Sequence, residues 1–232
     1  MVLVPGFTQT AAAWDSVRAG LPNDIDAMAL DAPTGLDFVA TAAALGETGG
    51  RGMYVGYSMG GRLALRLALD RPDLVHALVL VSTSAGIADP DERAARRAAD
   101  DDLAATIERD GVDAFLERWL AQPLFSTLPP AAAGVKARAA GNTVETLMHG
   151  RRALGGGTQE PLWDRLGGLT MPVRIVVGLL DEKYRQIGEQ LAAAMSPTAR
   201  VVTVPDAGHA VHLEEPAALA RVLTEFHYEV TA

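Results

Sequence analysis

Gly56-Tyr57-Ser58-Met59-Gly60 is preceded by a short apolar run, residues 53–55, and followed by a helical pattern over residues 62–69. A strand that ends, a turn too tight for side chains and a helix that begins at once read as a nucleophile elbow. The glycines stand where a Cβ would collide in such a turn. Ser58 then projects its hydroxyl at the sheet edge, with a helix N-terminus beneath it. G-x-S-x-G alone is a weak pattern in a glycine-containing chain. Its weight comes from the strand before it, the helix after it, and a base and an acid downstream in the right order.

Other short β-rich runs lie at residues 2–4, 25–30, 53–57, 78–82, 173–177 and 201–204. Most are nearly continuous apolar runs rather than alternations, which favours strands covered on both faces, as in a parallel sheet. Helical patterns at 36–45, 60–69, 184–195 and 216–230 alternate with them. The expected fold is therefore α/β: a mostly parallel, doubly wound sheet with helices on both faces. Gly60, Ala64 and Ala68 recur every fourth residue and let the helix after the elbow lie close on the sheet.

Between about residues 84 and 166 the alternation stops and only helical segments remain, at 91–109, 112–121, 130–140 and 143–154. Pro90, Pro123, Pro129-Pro130 and Gly155-Gly156-Gly157 punctuate them. The expected organisation is a core of residues 1–84 and 166–232, with a helical insertion, 85–165, placed as a lid over the site.

The 232 residues, 49% hydrophobic, suffice for one such domain with a buried core. There is no cysteine, which excludes disulfides, thiolate metal sites and cysteine nucleophiles. No apolar run has the length of a membrane span. Residues 1–6 lack a charged region and are broken by Pro5, unlike a signal peptide. A soluble cytoplasmic protein without a membrane partner is expected. The net charge of −9 and the lack of a basic stripe argue against nucleic acid. An anionic small molecule remains open, because screening over about 8 Å lets a few local arginines outweigh distant carboxylates.

A serine hydroxyl reacts poorly until something takes its proton. His209, in Pro205-Asp206-Ala207-Gly208-His209, follows the 201–204 strand and is the expected general base. Its other ring nitrogen needs an acceptor to fix the tautomer. Asp181, just past the 173–177 strand, is the expected acid. Asp206 and Glu214 compete for that role but are read as facing solvent, and Asp31 precedes the serine. An oxyanion hole needs two backbone N–H groups; Met59, at the helix start, and Phe7, in the loop after the first strand, are the expected donors. His212 stands three residues from His209 without a third ligand nearby, so no metal is read. His76, His149 and His227 read as ordinary surface or interface residues.

The order Ser58…Asp181…His209, with Gly56-Tyr57-Ser58-Met59-Gly60-Gly61-Arg62 and Ala207-Gly208-His209-Ala210-Val211-His212, resembles the α/β-hydrolase superfamily. Within it the chain resembles the menaquinone-pathway 2-succinyl-6-hydroxy-2,4-cyclohexadiene-1-carboxylate synthases. Arg62 follows the elbow directly, and Glu92-Arg93 through Arg96 opens the insertion. Residues 115–126 look like that family's lid motif, and Asp181 carries a D-x-K-[FY] continuation. The resemblance runs from about Tyr54 to the end. Two departures stand out: Pro5-Gly6 where the family has His-Gly, and a shortened segment after Asp31. The N-terminal strands of the superfamily sheet look reduced.

The resemblance implies an elimination that expels pyruvate, with no cofactor and with the triad acting as a base. It also implies a substrate carrying several carboxylates, met by Arg62, Arg96 and Arg138, in a pocket lined by Tyr57, Trp119 and Ser126. Guanidinium suits carboxylate because the two form a bidentate fork. A serine hydrolase, a small carboxylesterase or carbon–carbon bond hydrolase with Ser58 as nucleophile, is the alternative. A non-catalytic binding protein on the same fold would be expected to have lost a triad position.

Overall fold

The computed structural model describes residues 1–232 except Ser196 and Thr198. Six strands form one parallel sheet: β1 (Val2–Val4), β2 (Met28–Ala29), β3 (Gly52–Tyr57), β4 (Val75–Val81), β5 (Val173–Gly178) and β6 (Ala199–Val204), in the order β2-β1-β3-β4-β5-β6. β3 and β5 are buried along their whole length. That is the physical meaning of their mostly apolar runs: helices cover both faces, and Arg174, the one charged residue in β5, pairs with Glu229. The 25–30 run pairs over only two residues, because it lies at the sheet edge, where Met28 is 42% exposed.

The helices are α1 (Asp15–Ala19), α2 (Phe38–Gly49), α3 (Met59–Asp70), α4 (Pro90–Leu120), α5 (Val135–Gly141), α6 (Val144–Arg152), α7 (Glu182–Ala194), α8 (Val211–Glu214) and α9 (Pro216–Thr231). Leu63 and Leu67 of α3, Phe38 of α2 and Leu191 of α7 build the core on one face of the sheet. Trp14, Val17 of α1, and Leu219, Leu223 and Phe226 of α9 build it on the other. At about 25 cal/mol per Å² of apolar surface removed from water, such side chains contribute roughly 1.5–3 kcal/mol each.

Between β4 and β5 run α4, α5 and α6, which carry a small core of their own: Ile107, Phe115, Leu116 and Leu147. Asp89 starts α4 by accepting the Asp91 and Glu92 N–H groups at 2.9 and 2.8 Å, with Pro90 in the first turn. Gly111 (φ 78°, ψ 177°) breaks α4 inside its span. The sequence reading ended one helix at 109 and began another at 112; the break is that glycine. Among the described residues no helix is long and apolar enough to cross a membrane.

Candidate active site

β1 and β3 are hydrogen-bonded neighbours, with Val4 level with Gly56. Two turns therefore leave the sheet side by side: Pro5-Gly6-Phe7 after β1, and Ser58 after β3. Strand order reverses at this point, which is where open parallel sheets bind ligands. Contact is as close as glycine allows. A Cβ on Gly60 would lie 2.3 Å from the Val4 carbonyl oxygen, and one on Gly56 2.3 Å from that of Gly60. Ser58 takes φ 49°, ψ −110°, a conformation that costs a non-glycine residue about 1–3 kcal/mol. Neighbouring groups hold it: the Ser58 N–H donates to the Val81 carbonyl at 2.9 Å, and the Thr83 hydroxyl donates to the Ser58 carbonyl at 2.7 Å.

Asp181 and His209 follow β5 and β6, which are also neighbours. The carboxylate is divided between two donors. Its Oδ1 accepts the Tyr184 N–H at 3.2 Å and so caps α7, while Oδ2 accepts from His209 Nδ1 at 2.8 Å. Both side chains are buried. A proton held on Nδ1 leaves Nε2 as the basic nitrogen. The Tyr184 and Tyr57 rings lie 4.5 and 5.4 Å from the imidazole. Burial raises both phenol pKa values above the ordinary range, so both stay neutral.

Glu214 does not simply face solvent, as the sequence reading had it. Its carboxylate accepts the N–H groups of Gly208 and Ala210, each at 2.8 Å, and so clamps the backbone on either side of His209. The short helix α8 folds Glu214 back onto the turn, a reversal that residue type alone does not signal.

Phe7 and Met59 flank the serine, and both line the cavity described below. Met59 is the first residue of α3, so its N–H has no intrahelical acceptor. Among the described residues no acceptor lies on the Phe7 N–H either. The Phe7 ring is held edge-on to Trp119 at 5.2 Å and Phe115 at 6.0 Å. These contacts tie the loop after β1 to α4.

A cavity of about 940 Å³ opens over these strand ends, walled by Phe7, Ser58, Arg62, Trp119, Arg138 and His209 among others. That volume is within the range of small-molecule sites. Arg62 donates to Gln159 Oε1 at 2.8 Å and to the Leu154 carbonyl at 2.7 Å, and lies 5.6 Å from the Phe38 ring. Arg138, 4% exposed, donates to the Ala133 carbonyl at 2.7 Å and to the Thr8 hydroxyl, leaving Nη2 without an acceptor among the described residues. Among the described residues neither arginine has a carboxylate partner. Burial lowers both pKa values, that of Arg62 to about 10. Both stay charged at neutral pH.

Arg96 stands differently. It is half exposed, and its Nε donates to Asp100 Oδ1 at 2.8 Å. The same oxygen accepts from Arg151, a buried guanidinium that the sequence reading did not single out. Arg151 lies 4.9 Å from the Phe7 ring and 5.4 Å from that of Trp119. The glycine run offered the available signal: a Cβ on Gly155 would meet Asp100 Oδ2 at 2.4 Å, and one on Gly157 the Arg97 backbone at 2.3 Å. Tyr57 and Trp119 line the cavity, but Ser126 does not. Ser126 is exposed, because the turn at Pro123–Phe125 buries Phe125 and carries the next residue outward.

His212 is fully buried. Its ring lies 4.2 Å from that of Tyr57 and its Nε2 is 3.0 Å from Gln9 Oε1. Burial, with Arg138 and His209 nearby, holds its pKa well below the ordinary imidazole range. His149 Nε2 lies 2.7 Å from the Leu36 carbonyl oxygen. Among the described residues no three His, Asp or Glu side chains gather as metal ligands.

The chain is 38% identical over 176 residues to a Bacillus subtilis (strain 168) protein provisionally named 2-succinyl-6-hydroxy-2,4-cyclohexadiene-1-carboxylate synthase. That match covers 74% of this chain and 64% of the relative, so the chain spans less than two thirds of that protein's length. A Serratia proteamaculans (strain 568) protein of the same name is 29% identical, over 92% of this chain and 83% of its own. The solved structure of MenH from S. aureus superposes with a TM-score of 0.92 at 24% identity, covering 100% of this chain and 95% of that one, and shares the fold. A model described as the alpha/beta hydrolase family matches residues 1–222, so that by its sequence and its sheet the chain belongs to the alpha/beta hydrolase family.

Proposed function

We propose that the protein is a carbon–oxygen lyase of menaquinone synthesis, expelling pyruvate to form 2-succinyl-6-hydroxy-2,4-cyclohexadiene-1-carboxylate. The names of its relatives supply the product. The observation that carries the reading is the charge of the pocket: Arg62 and Arg138 line it with Ser58 and His209, and among the described residues neither is bonded to a carboxylate. A buried cation without a counter-charge is costly, and a substrate bearing several carboxylates supplies it. A site for neutral esters has no use for such groups.

In this reading Ser58 takes the substrate's proton as its own passes to His209 Nε2, and Asp181 stabilises the imidazolium. The electrons of the broken C–H bond form the new double bond, and the carbon–oxygen bond breaks. The leaving group departs as the enolate of pyruvate, held by the Phe7 and Met59 N–H groups. The proton on His209 then returns to it. Residues 85–165 serve as the lid, bringing Arg96, Trp119 and Arg138 to the substrate, and the protein works in the cytoplasm. The test is pyruvate release from the succinyl-cyclohexene precursor. Rapid turnover of p-nitrophenyl acetate with no pyruvate released would instead make the protein a hydrolase.

A further inference from the structure

Gln9 occupies the turn after β1, in the cavity wall, two residues from Phe7. Its Oε1 faces two groups: the Gly6 N–H at 3.2 Å and His212 Nε2 at 3.0 Å. A backbone N–H can only donate, so the carboxamide atom facing it is the oxygen. The His212 proton must then sit on Nε2 and donate to that same oxygen. Nδ1, which is buried and has no partner among the described residues, is left as the bare nitrogen. Both lone pairs of the amide oxygen are thus committed, and the side chain cannot flip without losing both bonds. Among the described residues nothing accepts from Gln9 Nε2. The preceding residue, Thr8, holds Arg138, whose Nη2 also lacks an acceptor among the described residues.

We propose that Gln9 is a substrate-binding residue, its locked carboxamide N–H donating to an anionic carboxylate oxygen of the substrate beside Arg138. His212 is the positioning residue that aims it. The inference rests on the lyase reading for the identity of the substrate, but not for the donor itself.

Gln9→Glu separates the donor from the brace. It keeps an oxygen toward Gly6 and His212 and replaces only the NH₂ group. Gln9→Met removes the donor without adding charge. With both variants folded, we expect KM for pyruvate release to rise about 10- to 100-fold in each, with kcat within about threefold of wild type. Unchanged KM in Gln9→Glu would overturn the proposal, since a mere brace survives that exchange. Loss in Gln9→Glu alone would also overturn it, as simple charge repulsion, and so would a fall in kcat at constant KM. Succinate binding by calorimetry keeps the donor testable if the wild type releases no pyruvate. Weaker succinate binding in both variants supports the donor, and equal binding overturns it.

Discussion

Asp181→Asn removes one charge and almost no volume, and the geometry says why that should be severe. The two carboxylate oxygens each serve a donor: Tyr184 N–H at 3.2 Å and His209 Nδ1 at 2.8 Å. A carboxamide has only one acceptor. If its oxygen faces His209, its NH₂ opposes the Tyr184 N–H and the α7 cap is lost. If it faces Tyr184, its NH₂ opposes Nδ1 and drives the imidazole proton to Nε2, the nitrogen that has to receive one. In either case the imidazolium of the proposed mechanism loses its counter-charge. The same exchange in serine-protease triads lowers kcat about 10⁴-fold, equivalent to ~5.4 kcal/mol at ~1.36 kcal/mol per decade. We expect kcat for pyruvate release to fall about 10³- to 10⁴-fold, with KM changed by less than about threefold. Losing the α7 cap costs about 1 kcal/mol, or roughly 2–4 °C in Tm. Coupled lactate dehydrogenase kinetics and a thermal melt on the same preparation read both. A folded variant that keeps more than about a tenth of wild-type kcat would refute the assignment of Asp181 and His209 as a coupled pair.

Gly60→Ala places a methyl group 2.3 Å from the Val4 oxygen and 2.5 Å from the Pro5 oxygen. The backbone must retreat by about 1 Å, so we expect a loss of about 1–3 kcal/mol in urea titration and about 10²-fold in kcat. Wild-type kcat would show that the close approach is not needed. Glu214→Gln leaves one acceptor for two N–H groups; a drop of about 1–3 kcal/mol in denaturant stability is expected, with slower turnover. Unchanged stability would mean the clamp carries no load. His212 gives a pH dependence. Its folded pKa is depressed by burial, so below the unfolded value of about 6.5 the unfolded chain binds the extra proton. Stability from this group is present above about pH 6.5 and is lost as pH falls below it, by up to ~1.36 kcal/mol per pH unit. Denaturant titrations across that window should show a steeper acid loss in the wild type than in His212→Gln; parallel curves would contradict it.

What the sequence discloses is what local pattern encodes. Residues 53–57 and, apart from Arg174, which pairs with Glu229, residues 173–177 lack polar side chains facing solvent because both faces of β3 and β5 are covered. Ser58, Asp181 and His209 are legible because each stands just past a strand, and parallel strands bring those ends to one edge. The short helix α1 leaves little pattern in five residues. The partnerships around the site are hidden for a different reason. Gln9 and His212 stand 203 residues apart, and Asp100 and Arg151 stand 51 apart. Neither spacing follows from a helix or strand period, so these contacts exist only once the sheet and its insertion are assembled. Ser126 is the converse case: resemblance placed it in the pocket, and a local turn pointed it outward.

The guanidinium groups of Arg62 and Arg138, which have no carboxylate partner among the described residues, have a consequence for handling the protein. In solution such donors are covered by water and by whatever small anions the buffer supplies. If the substrate is the proposed polycarboxylate, its capture is an ion exchange, in which a carboxylate replaces a counter-ion rather than entering a neutral space. Apparent affinity then becomes a property of the buffer as much as of the protein. Sulfate and phosphate, which match the guanidinium fork, act as competitors, whereas larger monovalent anions act mainly by screening.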